Sequence, residues 1–152
     1  MSTVIPLDHV AIQNTIARYC VALDTKDWEL LSSSVFTKDV SADYPFNKTM
    51  SDVKTVANAI KNRLGEVITQ HALTTQIIEV NRDGKTASAE TYFTGNHFGH
   101  GKYEGQVLVA YGKYVDQLVC TGQGQGTYRE WRIKKRTVVF MKRIGDEHIM
   151  DH

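Results

Sequence analysis

At residue 68 the apolar pattern changes from a helical repeat to strict alternation, and that change decides what the chain can fold into. Upstream, Ile12, Ile16, Tyr19, Cys20 and Leu23 form the stripe of an amphipathic helix over roughly residues 8–23, with Asp8 as a candidate N-cap. A second short helix is expected from about Lys26 to Ser34, capped by Thr25 and anchored by Trp28, Leu30 and Leu31. Val40 to Phe46 reads as a short strand ended by Pro45. Ser51 is placed to cap a third helix in which Val53, Val56, Ala57, Ile60 and Leu64 recur at helical spacing, with Gly65 closing it. Downstream, β-branched and aromatic residues mark long strands at Ile68–Asn81, Thr86–Phe98, Gln106–Thr121 and Thr127–Lys142. Asp83-Gly84 gives a hairpin turn between the first two strands. Gly99, Gly101 and Gly105, then Gly122, Gly124 and Gly126, punctuate the later connections. Helices followed by long antiparallel strands predict an α+β fold, a strongly curved sheet wrapped as a cone around three helices.

The 152 residues, 41% hydrophobic, suit one domain spanning 1–152 with room for a core and a pocket. Eighteen basic against seventeen acidic residues leave a net charge of +1, which gives no global field for nucleic acid or an anionic membrane. No apolar run nears the roughly 18 residues of a membrane helix, and MSTVIPLDH lacks the pattern of a leader, so a cytoplasmic protein is expected. Cys20 and Cys120 form no disulfide framework or zinc-type spacing and are read as packing residues. P-loop, dinucleotide, nucleophile-elbow and His-Glu-x-x-His patterns are absent, so neither cofactor nor metal is expected.

Alternation places Ala87, Ala89, Thr91, Phe93, Gly95 and His97 on one face, read as interior, and groups His71 with Leu73, Thr75 and Ile77. A bulge would reassign the latter set. In the last strand Trp131, Ile133 and Val139 alternate with Arg132, Lys134 and Arg136, a basic row read as a solvated outer face. The residues that could carry chemistry are Asp24, Tyr44, His71 and His97, with Tyr19 as accessory. A carboxylate at a helix C-terminus opposes the dipole, so Asp24 either caps a turn or points inward to hold a histidine in one tautomer. Pairing around Asp83-Gly84 would set His71 and His97 roughly opposite each other, as core residues or as an acid–base pair. Tyr44 and Tyr19 are pocket walls or donors to an oxygen that becomes negative. His9, His100, His148 and His152 lie in termini or a glycine-rich loop and are given no role.

From about Asp8 to Lys142 the chain resembles the NTF2-like α+β-cone superfamily, and within it the SnoaL-like and scytalone dehydratase-like proteins. The resemblance rests on Leu23-Asp24-Thr25-Lys26-Asp27-Trp28, Ser41-Ala42-Asp43-Tyr44 and Thr69-Gln70-His71. It implies catalytic roles for Asp24, Tyr44 and His71, and by spacing for His97. Leu23 stands where the dehydratase has a second tyrosine, a space Tyr19 could fill, and Tyr44 stands near the base of ketosteroid isomerase-like sequences. The resemblance implies a cofactor-independent lyase or isomerase for a hydroxylated cyclic or polyketide-like ketone, and a homodimer. An aldol-type cyclase and a noncatalytic ligand- or protein-binding domain are the alternatives. The balanced exterior suggests an uncharged aromatic or polyketide-like ligand.

Overall fold

The structure, a computed structural model, describes residues 7–123 and 128–151. Residues 1–6, the turn glycines Gly124 and Gly126, the strand start expected at Thr127, and His152 lie outside the described residues. Helix α1 (Asp8–Thr25) buries the stripe its spacing predicts, Ile12, Ile16, Tyr19, Cys20 and Leu23 among it. Leu7, not Asp8, occupies the N-cap position. Asp8 is instead fully buried, paired with Arg129 at 2.6 Å and accepting from the Trp131 indole at 3.0 Å, which ties the helix start to the last strand. Burial pushes the Cys20 thiol up to about 12, in keeping with a packing role.

The second helix is shorter than its apolar spacing suggests. Lys26 is left-handed (φ 60°) and ends α1, Asp27 rather than Thr25 caps the next turn, α2 (Trp28–Leu30), and the chain continues as a π-helical turn, Leu31–Val35. Strand β1 (Phe36–Tyr44) then begins four residues earlier than expected and stops at Pro45. A hairpin partner missed in the sequence, β2 (Asn47–Ser51), follows it. Asp52, not Ser51, caps α3 (Val53–Leu64) by accepting from Thr55 N, and Gly65 closes the helix at φ 54°, where a Cβ would be strained.

Strands β3 (Ile68–Val80), β4 (Thr86–Phe98), β5 (Val107–Gln123) and β6 (Arg129–Gly145) are the four long strands of the second half. They form with the first two a single unclosed sheet, ordered β2-β1-β6-β5-β4-β3 and antiparallel except where β1 meets β6. Helices α1 and α3 pack on its inner face, so the α+β arrangement of three helices against a curved, mainly antiparallel sheet holds. The Asp83-Gly84 turn forms with Gly84 at φ 66°. No helix among the described residues is long and apolar enough to cross a membrane.

Two bulges overturn the expected faces. In β3 the register against β4 shifts between Leu73 and Gln76, so Thr75 and Ile77 point outward while Gln76, Ile78 and Val80 turn in. In β6 Lys134 is the extra residue between the pairs Gln117–Lys135 and Leu118–Ile133. The slip turns Arg136 from the supposed outer row into the core, where it is 0% exposed, and turns Val139 out. Arg132, Lys134 and Arg136 therefore form no common row. Arg132 is half-buried and donates to the carbonyls of Ser32 and Ser33, while Lys134 is exposed.

Candidate active site

Asp24 lies in the last turn of α1, where the helix dipole disfavours a carboxylate, and its interactions with β3 resolve the conflict. Its Oδ1 accepts from Thr69 Oγ1 at 2.9 Å and lies 2.7 Å from His71 Nδ1, and its Oδ2 accepts from the His71 backbone N–H at 2.9 Å. Three hydrogen bonds from two alternate residues of one strand, Thr69 and His71, turn Asp24 inward, the second of its two readings. Half-burial alone would raise its pKa, but the side-chain and backbone hydrogen bonds from His71 outweigh it and hold the carboxyl below its usual range. A carboxylate only accepts, so Nδ1 of His71 carries a proton, and in the neutral ring Nε2, on the side of Gly95, is the bare nitrogen.

His71 and His97 are diagonal rather than opposite. His71 pairs with Gly95 and Thr69 with His97, which leaves the two rings on one face with centroids 5.9 Å apart. Gly95 makes this approach possible: a Cβ there would stand 3.3 Å from His71 Nε2 and 3.4 Å from His97 Cε1. His97 Nδ1 faces the carbonyl of Leu108 at 3.1 Å, so it too carries its proton on Nδ1 and presents a bare Nε2. Burial, then the neighbouring His71, pushes the His97 pKa down to about 4, with Arg143 and Arg63 acting in the same direction.

Across the cavity the Tyr19 and Tyr44 hydroxyls are 2.7 Å apart, both rings buried. Burial raises both phenols, Tyr44 to about 12, so both stay protonated at neutral pH. One hydroxyl must donate to the other, and the acceptor of that bond keeps its own proton for a ligand oxygen. The pocket between these pairs has an empty volume of about 570 Å³, mouth included, and is lined by Tyr19, Tyr44, His71 and His97, with Phe93 and Tyr114 among the walls. Asp24 stands behind His71. Among the described residues no group of three or more His, Cys, Asp or Glu side chains is arranged to hold a metal ion.

This combination of fold and pocket has relatives. The SnoaL-like domain family matches residues 6–137. The chain belongs to the SnoaL-like domain family. Solved structures share the fold of this SnoaL-like chain at low identity. The Kfla4162 protein from Kribbella flavida is 17% identical, with 95% of this chain and 97% of that one covered and a TM-score of 0.81. A candidate scytalone dehydratase from Novosphingobium aromaticivorans is 18% identical, with 91% and 87% covered and a TM-score of 0.74. The type 2 hexachlorocyclohexane dehydrochlorinase LinA is 14% identical, with 91% and 88% covered and a TM-score of 0.74. No functionally curated protein matches the sequence.

Other site residues of the SnoaL-like domain escaped the sequence reading. Tyr114 stacks on Phe93 at 4.3 Å and meets Tyr19 edge-on at 5.4 Å. Arg136 lies over both phenol rings, 4.2 Å from the Tyr19 centroid and 4.0 Å from that of Tyr114, and binds Asp116 through two bonds of 2.7 and 2.8 Å. Arg63 and Arg143 line the pocket itself, two cations that stand beside the tyrosines and histidines singled out in the sequence. Continuing the β6 pattern past Lys142 would have found Arg143; Arg136 was hidden by the bulge at Lys134.

The depressed His97 carries a consequence for stability. The unfolded chain takes up this proton as pH falls through about 6.5, the folded one only near 4, so stability present above 6.5 is lost on the way down. The expected loss is about 3 kcal/mol between pH 7 and pH 4. Urea denaturation of the wild type and His97→Gln across that range measures it: the variant should lack this part of the slope, and parallel curves would refute it.

Proposed function

We propose that this SnoaL-like domain is a cofactor-independent dehydratase or isomerase for a small hydroxylated cyclic ketone, aromatic or polyketide-like. The observation that carries the reading is the Asp24–His71 contact, 2.7 Å long, which fixes the imidazole with its basic nitrogen free beside the pocket. In the dehydratase form, His71 Nε2 removes the proton from the carbon next to the carbonyl. Asp24 opposes the positive charge that builds on the ring. Electron density moves to the carbonyl oxygen, where the tyrosine pair donates a hydrogen bond to the developing enolate. The enolate then collapses, the bond from carbon to the departing hydroxyl breaks, and the imidazolium of His71 returns its proton so that water leaves. His97 is not the acid at neutral pH, because its Nε2 is unprotonated. It accepts from the substrate hydroxyl and turns that group toward His71.

Supporting residues contribute rigidity: Arg136 and Asp116 hold the tyrosine rings from behind, and Thr69 steadies the carboxylate. A positioned base accounts for about 10²–10⁴-fold and an enolate donor for about 10²–10³-fold. The test is a panel of cyclic hydroxyketones followed for loss of water and for exchange of the carbon-bound proton with solvent. Wild-type turnover that vanishes in His71→Ala and Asp24→Asn supports the reading, and full activity in either variant overturns it.

We also expect a homodimer. Tyr92, Tyr111, Val115 and Val139 are each 38–40% exposed on the outer face of β4, β5 and β6, and surround the Lys113–Glu90 ion pair in a patch suited to a second sheet. Sedimentation equilibrium of the wild type and Tyr111→Lys would decide it: a dimer weakened by the charge is expected, and a wild-type monomer at high protein concentration refutes it.

A further inference from the structure

The sheet register puts the proposed base and a guanidinium at opposite ends of one rung. His71 pairs with Gly95, Gly95 with Ala110, and Ala110 with Arg143. The two middle positions carry a hydrogen and a methyl, so the rung is a low floor between two tall functional ends. Adjacent strands are about 4.8 Å apart, which leaves roughly three such spacings between the end backbones for two inward side chains and one ring-sized molecule. Arg63, reaching in from α3, lines the same pocket, and the two arginines repel each other.

Neither cation is fully neutralised by the fold, although Glu147 and Asp151 act on Arg63 from beyond ion-pair distance and Glu147 pairs with Arg143. Among the described residues no carboxylate lies within ion-pair distance of Arg63, whose ring contact is Phe46 at 5.6 Å. Arg143 meets Glu147 at 3.0 Å, but that carboxylate is 63% exposed, where solvent screens the pair, and the Arg143 Nε is buried without a hydrogen-bond partner. An orphaned guanidinium N–H is costly in a native structure, and two like charges drawn to one cavity need an anion between them. Phe46 and Phe140, the rings under these guanidiniums, give the pocket an apolar wall at the same end.

We propose that the substrate of this site is a cyclic carboxylate, its anionic group held between Arg63 and Arg143 while its reacting carbon lies over Gly95 and Ala110 against His71. This rests on the acid–base reading and adds the substrate class to it. A phosphate monoester would leave less room for the ring, and the planar fork of each guanidinium matches a carboxylate.

The experiment compares benzoate with benzamide, nearly the same shape but different in charge, by isothermal titration calorimetry on the full chain at low ionic strength. Benzoate is expected to bind at least tenfold more tightly, with the margin shrinking as salt rises. Arg63→Met and Arg143→Met should each reduce the margin and their combination abolish it, while Glu147→Gln, which frees Arg143, should widen it. The preference should survive Asp24→Asn, so the result does not depend on turnover. Equal binding of the two probes, no binding of benzoate at millimolar concentration, or a preference that persists in the double arginine variant overturns the proposal. Any of these would leave the proton-transfer test with neutral hydroxyketones standing.

Discussion

Arg136→Met is expected to lower the folding free energy by about 3–5 kcal/mol, read as a shift of the urea midpoint with an unchanged slope. The magnitude follows from what would remain. Arg136 and Asp116 are both 0% exposed and share two hydrogen bonds. Burial by itself would lower the Arg136 pKa, but Asp116 outweighs it and the guanidinium stays charged. Methionine replaces the volume and leaves Asp116 as a buried carboxylate with no counter-charge. The variant would also lose the cation held over Tyr19 and Tyr114. Adding Asp116→Leu removes the orphaned charge, and the pair of substitutions should regain most of the loss. If Arg136→Met alone were as stable as the wild type, the pair would not be what organises this part of the core.

That ion pair also shows where sequence reading stops. The first helix was legible because every residue of its stripe faces one way, and the same holds for β4, whose inward set from Ala87 to His97 runs without a break. Faces were lost wherever a strand carries an extra residue. Lys134 is one residue among seventeen in β6, yet it reverses the side of the residues from there to Phe140, until a second extra residue, Met141, restores the alternation, so that a fully buried cation looked like surface. No local composition marks such a position, because the bulge is stabilised by the partner strand. The histidine pair was legible only approximately: counting from Asp83-Gly84 brings His71 and His97 within two residues of each other, and the slip between Leu73 and Gln76 then sets His71 opposite Gly95, on the same face as His97. Asp24 could be placed only by asking why a carboxylate ends a helix. Tyr114 and Arg63 carried no motif, and only the packing of α1 and α3 on the curved sheet brings them to the pocket.

Asp24→Asn is expected to reduce turnover by about 10³–10⁴-fold while the fold and the pocket persist. The substitution changes one oxygen to an NH₂ and leaves the shape nearly intact, so its effect is one of proton placement. In the native site one oxygen faces the backbone N–H of His71, which can only donate, and the other faces Nδ1 of the ring. An asparagine must give its oxygen to one of them. If it turns the oxygen to the ring, its NH₂ confronts the backbone donor and both lose a partner. If it turns the oxygen to the backbone, its NH₂ donates to Nδ1, and the ring proton moves to Nε2. The backbone cannot adapt and the imidazole can, so the second arrangement prevails, and the nitrogen that should take the substrate proton already carries one. Two readouts separate this from general damage. Substrate affinity should change far less than the rate, and long-range ¹H–¹⁵N spectra of the His71 ring should show the proton on Nδ1 in the wild type and on Nε2 in the variant. A variant with the original tautomer and full activity would remove Asp24 from the proposed chemistry and leave it as a cap between α1 and β3.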